Sequence, residues 1–223
     1  MTLPALLFAA GKGTRMAPLT NAQPKPLISV AGKPLLDHAY DYAADAGCAP
    51  IVINTHYLGT MIKSYVASRD VLISDESDQL RETGGGLRHA LPLLDGSPVL
   101  TMNTDAVWAG PNPVETLLSA WQPEMECLLL LVAKDNVRGH PGAGDFDMTP
   151  DSHLMRGRSL IYTGVQIVRT DRLAKMGEDV FSMNLVWDAM IAHQGLYGAV
   201  YDGQWCDVGQ PESIALAEAM KDV

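Results

Sequence analysis

The chain has 223 residues, 47% of them hydrophobic and 19% charged, so it can bury a substantial core and is neither disordered nor of low complexity. Its formal net charge of -10 makes it a poor candidate for non-specific binding to nucleic acid or to an anionic membrane, and phosphate binding needs its few basic residues concentrated at one place. The cysteines Cys48, Cys127 and Cys206 are odd in number and lack metal-ligand spacing, which reads as reduced thiols in a cytoplasm. No basic segment precedes an apolar stretch at the start, so no signal peptide is expected.

In chain order, the apolar run 5–10 predicts a buried strand. Residues 35–46 carry Leu35, Leu36, Ala39, Tyr42, Ala43 and Ala46 at helical spacing, with Gly47 as the stop. A strand at 50–54, a helix at 58–67, a strand at 71–74, a short helix at 86–94, a strand at 98–103, a helix at 114–121 and a strand at 126–133 follow. The apolar stretch in this last strand is far too short to span a membrane. Strands alternating with helices predict right-handed βαβ units and an α/β fold, Rossmann-like and three-layered, with a mostly parallel central sheet. The region 135–158 is rich in turn formers and predicts a hairpin or extended lid. A strand at 161–168, a helix at 182–193, strand pieces at 200–201 and 205–208, and a closing helix at 211–221 complete one expected domain, 1–223. Glu212 and Lys221 sit at the ends of that helix where its dipole favours them.

The first strand runs into Ala10-Gly11-Lys12-Gly13-Thr14-Arg15-Met16, then Pro18-Leu19-Thr20 and Pro24-Lys25-Pro26-Leu27. Glycines after a strand let backbone N–H groups approach an anion, and Arg15 and Lys25 supply countercharge, so the set asks for a polyphosphate. No third glycine completes a dinucleotide fingerprint, and no Gly-Lys-Ser/Thr closes a Walker A loop. Asn103-Thr104-Asp105 follows a strand, at the carboxyl end where open α/β sheets bind ligands. Taken alone, an aspartate after a strand is more often a turn or cap residue.

The combination Gly-x-Gly-Thr-Arg-Met-x-Pro-Leu-Thr with Pro-Lys-Pro-Leu resembles the signature of the sugar-phosphate nucleotidyltransferases. These enzymes make nucleotide sugars from a nucleoside triphosphate and a sugar 1-phosphate. The resemblance implies the fold of the nucleotide-diphospho-sugar transferases and nucleotide binding by Ala10, Gly11, Gly13, Thr14, Arg15 and Asn103. Arg15 and Lys25 become the catalytic candidates, with Lys25 also facing the sugar phosphate. It also implies that Asp105 binds Mg²⁺ on the triphosphate, although the commoner motif has Gly where Thr104 stands. Trp205-Cys206-Asp207-Val208-Gly209-Gln210-Pro211-Glu212 resembles the segment whose aspartate completes that metal site, here Asp207. A strand-end aspartate before a glycine turn is the plainer alternative.

Glu82-Thr83-Gly84-Gly85-Gly86 resembles the loop that lines the nucleobase, which points to Thr83, Gly84 and Gly85, with Gln79 or Glu82 as further base contacts. Tyr162-Thr163-Gly164-Val165 resembles the segment under the sugar, making Thr163 and Gly164 sugar-side candidates. Asn184, Trp187 and Asp188 stand near the acceptor side, and Trp187 reads equally as core. Where relatives carry a Glu-Lys pair, this chain has Met155-Arg156-Gly157-Arg158, so Arg156 or Arg158 is a candidate for the sugar phosphate, with plain surface arginines as the default reading. Asp145-x-Asp147 reads as a solvated turn. His38, His56, His89, His140, His153 and His193 share no ligand spacing.

The expected partners are a nucleoside triphosphate and a sugar 1-phosphate, with no nucleic acid and no membrane, in a monomer or small homo-oligomer. The short length, Glu-Thr-x-Gly-Gly, and Asn-x-Asp leading to Trp108 resemble the N-acetylmuramate α-1-phosphate uridylyltransferases, which serve cell-wall recycling. Mannose 1-phosphate guanylyltransferases share most of these motifs. A catalytically silent nucleotide-sugar sensor would be expected to lack the loop lysine or the metal carboxylates, whereas Arg15, Lys25, Asp105 and Asp207 all stand.

Overall fold

Both faces of the first strand, β1 (Ala5–Phe8), are buried, and it accordingly lies inside the main sheet, paired in parallel with β4 (Ile51–Thr55) and β6 (Val99–Asn103). The computed structural model describes residues 2–221 and 223. Between β1 and β4 the chain forms short 3-10 turns, the small pair β2 (Ser29–Val30) and β3 (Lys33–Pro34), and helix α1 (Leu35–Asp45). Helix α2 (Gly59–Tyr65) leads to β5 (Leu72–Asp75), which pairs in parallel with β4. Helix α3 (Glu82–Leu94) returns the chain to β6.

After β7 (Ala106–Ala109), helix α4 (Pro113–Ala120) starts at Asn112, whose side chain accepts from the Val114 N–H at 2.8 Å, with Pro113 in the first turn. Strands β8 (Cys127–Ala133), β9 (Val137–Arg138), β10 (Phe146–Met148), β11 (Leu154–Arg156) and β12 (Leu160–Val168) follow. The chain closes with α5 (Met183–Ile191), β13 (Leu196–Tyr201), β14 (Gln204–Asp207) and α6 (Glu212–Glu218).

The main sheet runs β5-β4-β1-β6-β12-β8-β13. All of these strands share one direction except β12, which is antiparallel to both neighbours. The expected hairpin forms from β10 and β11, and β10 joins β12 where Phe146 pairs with Leu160. Alternation sorts side chains to two cores. Ala5 and Leu7 of β1 and Leu128 and Leu130 of β8 face α1, α2 and α4. Leu6, Leu129 and Leu131 face α3 and α5. Leu6 and Leu7 are both wholly buried, and truncating either to Ala would cost about 2–5 kcal/mol.

Two features depart from expectation. Strand β7 is unforeseen, and it pairs with β14, which in turn pairs with β9, in a separate three-stranded sheet that packs with α6 around Met16, Val107, Cys206 and Val208. Helix α3 begins at Glu82 and not at residue 86, so the three glycines form its first turns and no loop. Among the described residues, no helix is long and apolar enough to cross a membrane.

Candidate active site

The parallel strands β1, β4, β5 and β6 end on one side of the sheet, and a cleft of about 340 Å³ opens there. Its first wall is the segment after β1. Gly13 has φ +61°, a left-handed conformation that suits glycine, and a methyl group at this position would fall 2.8 Å from Lys25 Cβ. The Thr20 hydroxyl donates to the Gly13 carbonyl at 3.0 Å, which folds the loop back over Lys25. Wholly buried Met16 anchors the 3-10 turn Thr14–Met16 among Val107, Cys206 and Val208 of the smaller sheet. Ala10, Gly11, Gly13, Thr14 and Arg15 thereby line the cleft.

Lys25 is only 8% exposed, and its Nζ lies 2.9 Å from Asp105 Oδ2. The paired strands β7 and β14 explain how two distant aspartates meet. Asp207 stands opposite Ala106 in the antiparallel register, and the Val208 N–H donates to the Asp105 carbonyl at 2.9 Å. Burial pushes the Asp207 carboxyl above its ordinary value, and the nearby Asp105 charge adds to this. His140, Lys25 and Arg15 act against that shift. His140 Nδ1 is 3.2 Å from Asp207 Oδ2.

Among the described residues, no group of three or more His, Cys, Asp or Glu side chains is placed to hold a metal ion by itself. Two converging carboxylates with no further protein ligand suit Mg²⁺, which takes one or two carboxylates and completes its shell with phosphate oxygens and water. Burial is the first cause of the raised Asp207 carboxyl and the Asp105 charge the second, and a divalent cation held by both would offset that second cause. Thr104, where glycine is commoner, is 2% exposed and donates its hydroxyl to the Phe8 carbonyl at 2.7 Å, tying the ends of β1 and β6 together.

The opposite wall carries Asn54, Glu76, Leu80, Glu82 and Thr83. Asn54 and Glu76 escaped the sequence reading. Asn54 lies near the end of β4, the neighbour of β1, and Glu76 directly follows β5, the next strand out, and that placement is the signal that marks them. Gly84 and Gly85 do not line the cleft. Their N–H groups donate to the Phe181 carbonyl at 2.9 and 3.0 Å. A methyl group at Gly84 would fall 2.5 Å from the Phe181 ring, and one at Gly85 would fall 2.3 Å from the Asp179 carbonyl. Packing by residues 179–181 therefore accounts for these two glycines. Thr83 accepts the Met183 N–H on its hydroxyl at 3.0 Å, and Gln79 is exposed.

The sugar-side candidates lie outside the cleft. Thr163 is buried and donates its hydroxyl to the Leu130 carbonyl at 2.7 Å. Gly164, with φ +86°, packs on Asn103 where β12 changes register against β8. Asn103 itself lines the cleft. The Asn184 side chain turns to Ser182 Oγ at 3.0 Å. Arg156 pairs with Asp188 at 2.8 Å and covers the Phe146 ring, while the Arg158 N–H donates to Asp147. Trp187 donates to Gln166 at 2.9 Å inside the second core, so it is a core residue. Asp145 accepts the Tyr162 N–H, and Asp147 accepts from Arg158 and Ser159, so both serve the hairpin. Burial pushes the thiols of Cys48 and Cys206 up to about 11 and about 12, which keeps them protonated and unsuited to nucleophilic work.

A sequence profile of the MobA-like NTP transferase domain matches residues 5–159. The chain is 36% identical to the N-acetylmuramate alpha-1-phosphate uridylyltransferase of Caulobacter vibrioides, over 96% of this chain and 95% of that protein. It is 34% identical to the protein of the same name from Neisseria meningitidis, over 97% of this chain and 99% of that one. The crystal structure of HddC from Yersinia pseudotuberculosis, complexed with GMP-PN, superimposes with a TM-score of 0.78 at 22% identity, over 97% of this chain and 98% of that one. That likeness bears on the fold alone. The chain belongs to the MobA-like NTP transferase family, among its sugar-1-phosphate nucleotidyltransferases.

Proposed function

We propose that this protein transfers UMP from UTP to N-acetylmuramate α-1-phosphate in the cytoplasm, with Mg²⁺, releasing pyrophosphate and a UDP-sugar for cell-wall recycling. The observation that carries the reading is the meeting of Lys25, Asp105 and Asp207 beside the Arg15 loop, at the carboxyl ends of β1 and β6. Similarity over nearly the whole chain to two proteins named for this activity supports the choice of base and sugar.

A sugar 1-phosphate oxygen attacks the α-phosphorus of the triphosphate, and pyrophosphate leaves from the opposite side. The nucleophile is already an anion, so no general base is needed. The obstacle is bringing two polyanions together, and catalysis rests on positioning and charge neutralisation. Asp105 and Asp207 would hold Mg²⁺, which supplies positive charge at the phosphate oxygens. Arg15 grips the β- and γ-phosphates, assisted by N–H groups of the Gly11–Thr14 backbone. Lys25, held in place by Asp105 and by the space Gly13 leaves, neutralises the α-phosphate or the incoming sugar phosphate.

The test is pyrophosphate release with Mg²⁺ from UTP, GTP, dTTP and CTP against N-acetylmuramate, N-acetylglucosamine, glucose and mannose 1-phosphates. Release with UTP and the muramate sugar above every other pair is expected. Preference for GTP and mannose 1-phosphate would overturn the substrate choice and keep the reaction. No release from any pair, in folded protein, would overturn the reaction itself.

A further inference from the structure

Glu76 lies on the cleft wall, yet its side chain is wholly buried. Among the described residues, no Lys, Arg or His forms an ion pair with it. A buried carboxylate without a cation is costly unless hydrogen bonds hold it. Here Oε1 accepts from Asn54 Nδ2 at 2.7 Å and Oε2 accepts the Arg81 N–H at 3.1 Å. Asn54, 2% exposed, accepts the Ala9 N–H on Oδ1 at 2.7 Å. Gly86 leaves the room, since a methyl group there would fall 2.9 Å from Glu76 Oε1 and 3.1 Å from Asn54 Nδ2.

The two ends of this chain of bonds reach different walls of the cleft. Ala9 is where β1 passes into the glycine loop. Arg81 immediately precedes Glu82, a cleft residue held at φ +57°, in the left-handed region. Such a conformation strains a non-glycine residue and persists only where the surroundings impose it. The Arg81 N–H bond to Glu76 is part of what imposes it.

We propose that Asn54 and Glu76 are a positioning pair for the nucleotide, fixing the glycine loop relative to the wall that begins at Glu82. This rests on the reading of the cleft as a nucleoside triphosphate site. The pair acts through Ala9 and Arg81, so its loss weakens nucleotide binding and spares the sugar phosphate.

The experiment measures UTP and GTP dissociation constants by calorimetry, and KM for N-acetylmuramate 1-phosphate, in Glu76→Gln, Asn54→Asp and the double variant. Glu76→Gln sets an amide N–H against another donor, and Asn54→Asp sets two carboxylates face to face. The double variant restores every bond, because the new carboxylate at position 54 accepts from Ala9 and from the new amide at position 76, whose oxygen accepts from Arg81. Each single variant is expected to weaken nucleotide binding about tenfold or more, with KM for the sugar phosphate held within about twofold, and the double variant to recover to within about threefold. Folded single variants with wild-type nucleotide affinity would overturn the pair's role, as would equal losses for both substrates. Should the single variants not fold, the double variant decides. Near wild-type affinity supports the proposal, and failure to fold or binding about tenfold weaker overturns it. Wild-type protein that binds neither nucleotide would remove the nucleotide reading, and this role with it.

Discussion

Lys25 Nζ and Asp105 Oδ2 stand 2.9 Å apart although 80 residues separate them in sequence. The contact joins the loop after β1 to the end of β6. It places the buried ammonium beside the carboxylate that meets Asp207 across the β7–β14 pair. Removing the cation leaves two converging carboxylates with less to offset them, so the pair bears on both the fold and the chemistry.

Lys25→Ala is therefore expected to lower kcat on the order of a hundred- to a thousand-fold, with the cooperative melting transition retained. Single-turnover kinetics alongside circular dichroism check this. Wild-type turnover in the folded variant would remove Lys25 from the mechanism.

Gly13→Ala should fail for two reasons that act together. The left-handed φ strains any side chain by about 1–3 kcal/mol, and the added methyl group collides with Lys25 Cβ. Thermal unfolding should shift down, and turnover should fall further than stability alone explains. A variant as stable and as active as wild type would show that the loop is free to rearrange.

Asp207→Asn separates stability from function. Burial and the facing Asp105 charge disfavour ionised Asp207 in the folded protein, so the neutral amide should leave the fold at neutral pH at least as stable as wild type. Turnover should drop about a hundredfold or more. Chemical denaturation and pyrophosphate release measure the two effects, and a stable variant with full activity would remove Asp207 from the site.

Glu126→Gln tests a pair remote from the cleft. Arg172 binds Glu126 through Nε at 2.5 Å and Nη2 at 2.9 Å, and this bond first, opposed by burial and helped by the charges of Arg172, His193 and Arg169, holds its carboxyl below the ordinary value of 4.5. A depressed folded value means stability present above pH 4.5 and lost as the pH falls through the folded value. The variant should be about 0.5–1 kcal/mol less stable at neutral pH, with the gap closing in acid. A gap that does not change with pH would contradict the assignment.

The glycine loop and both aspartate motifs were legible in the sequence because each is local: a strand, a turn, and a charged residue at its mouth. Strand β7 was not, since Ala106–Ala109 is short and its pairing with β14 depends on residues about a hundred positions later. Distance in sequence also hid the reason for Gly84 and Gly85, which leave space for the segment 179–181 that caps the first turn of α3. Thr104 stood out as a departure from a motif, and only the sheet shows that its hydroxyl ties β6 to β1. Asn54 and Glu76 were individually unremarkable polar residues, and the parallel neighbours β1, β4 and β5 bring them together.

The most direct measurement of the central claim follows the α-phosphorus. UTP labelled there is incubated with N-acetylmuramate α-1-phosphate and Mg²⁺, and the labelled products are separated. The account predicts label in the UDP-sugar with wild-type protein and label retained in UTP with Lys25→Ala or Asp105→Asn. Label appearing in UMP, or remaining in UTP with the folded wild-type protein, would contradict it.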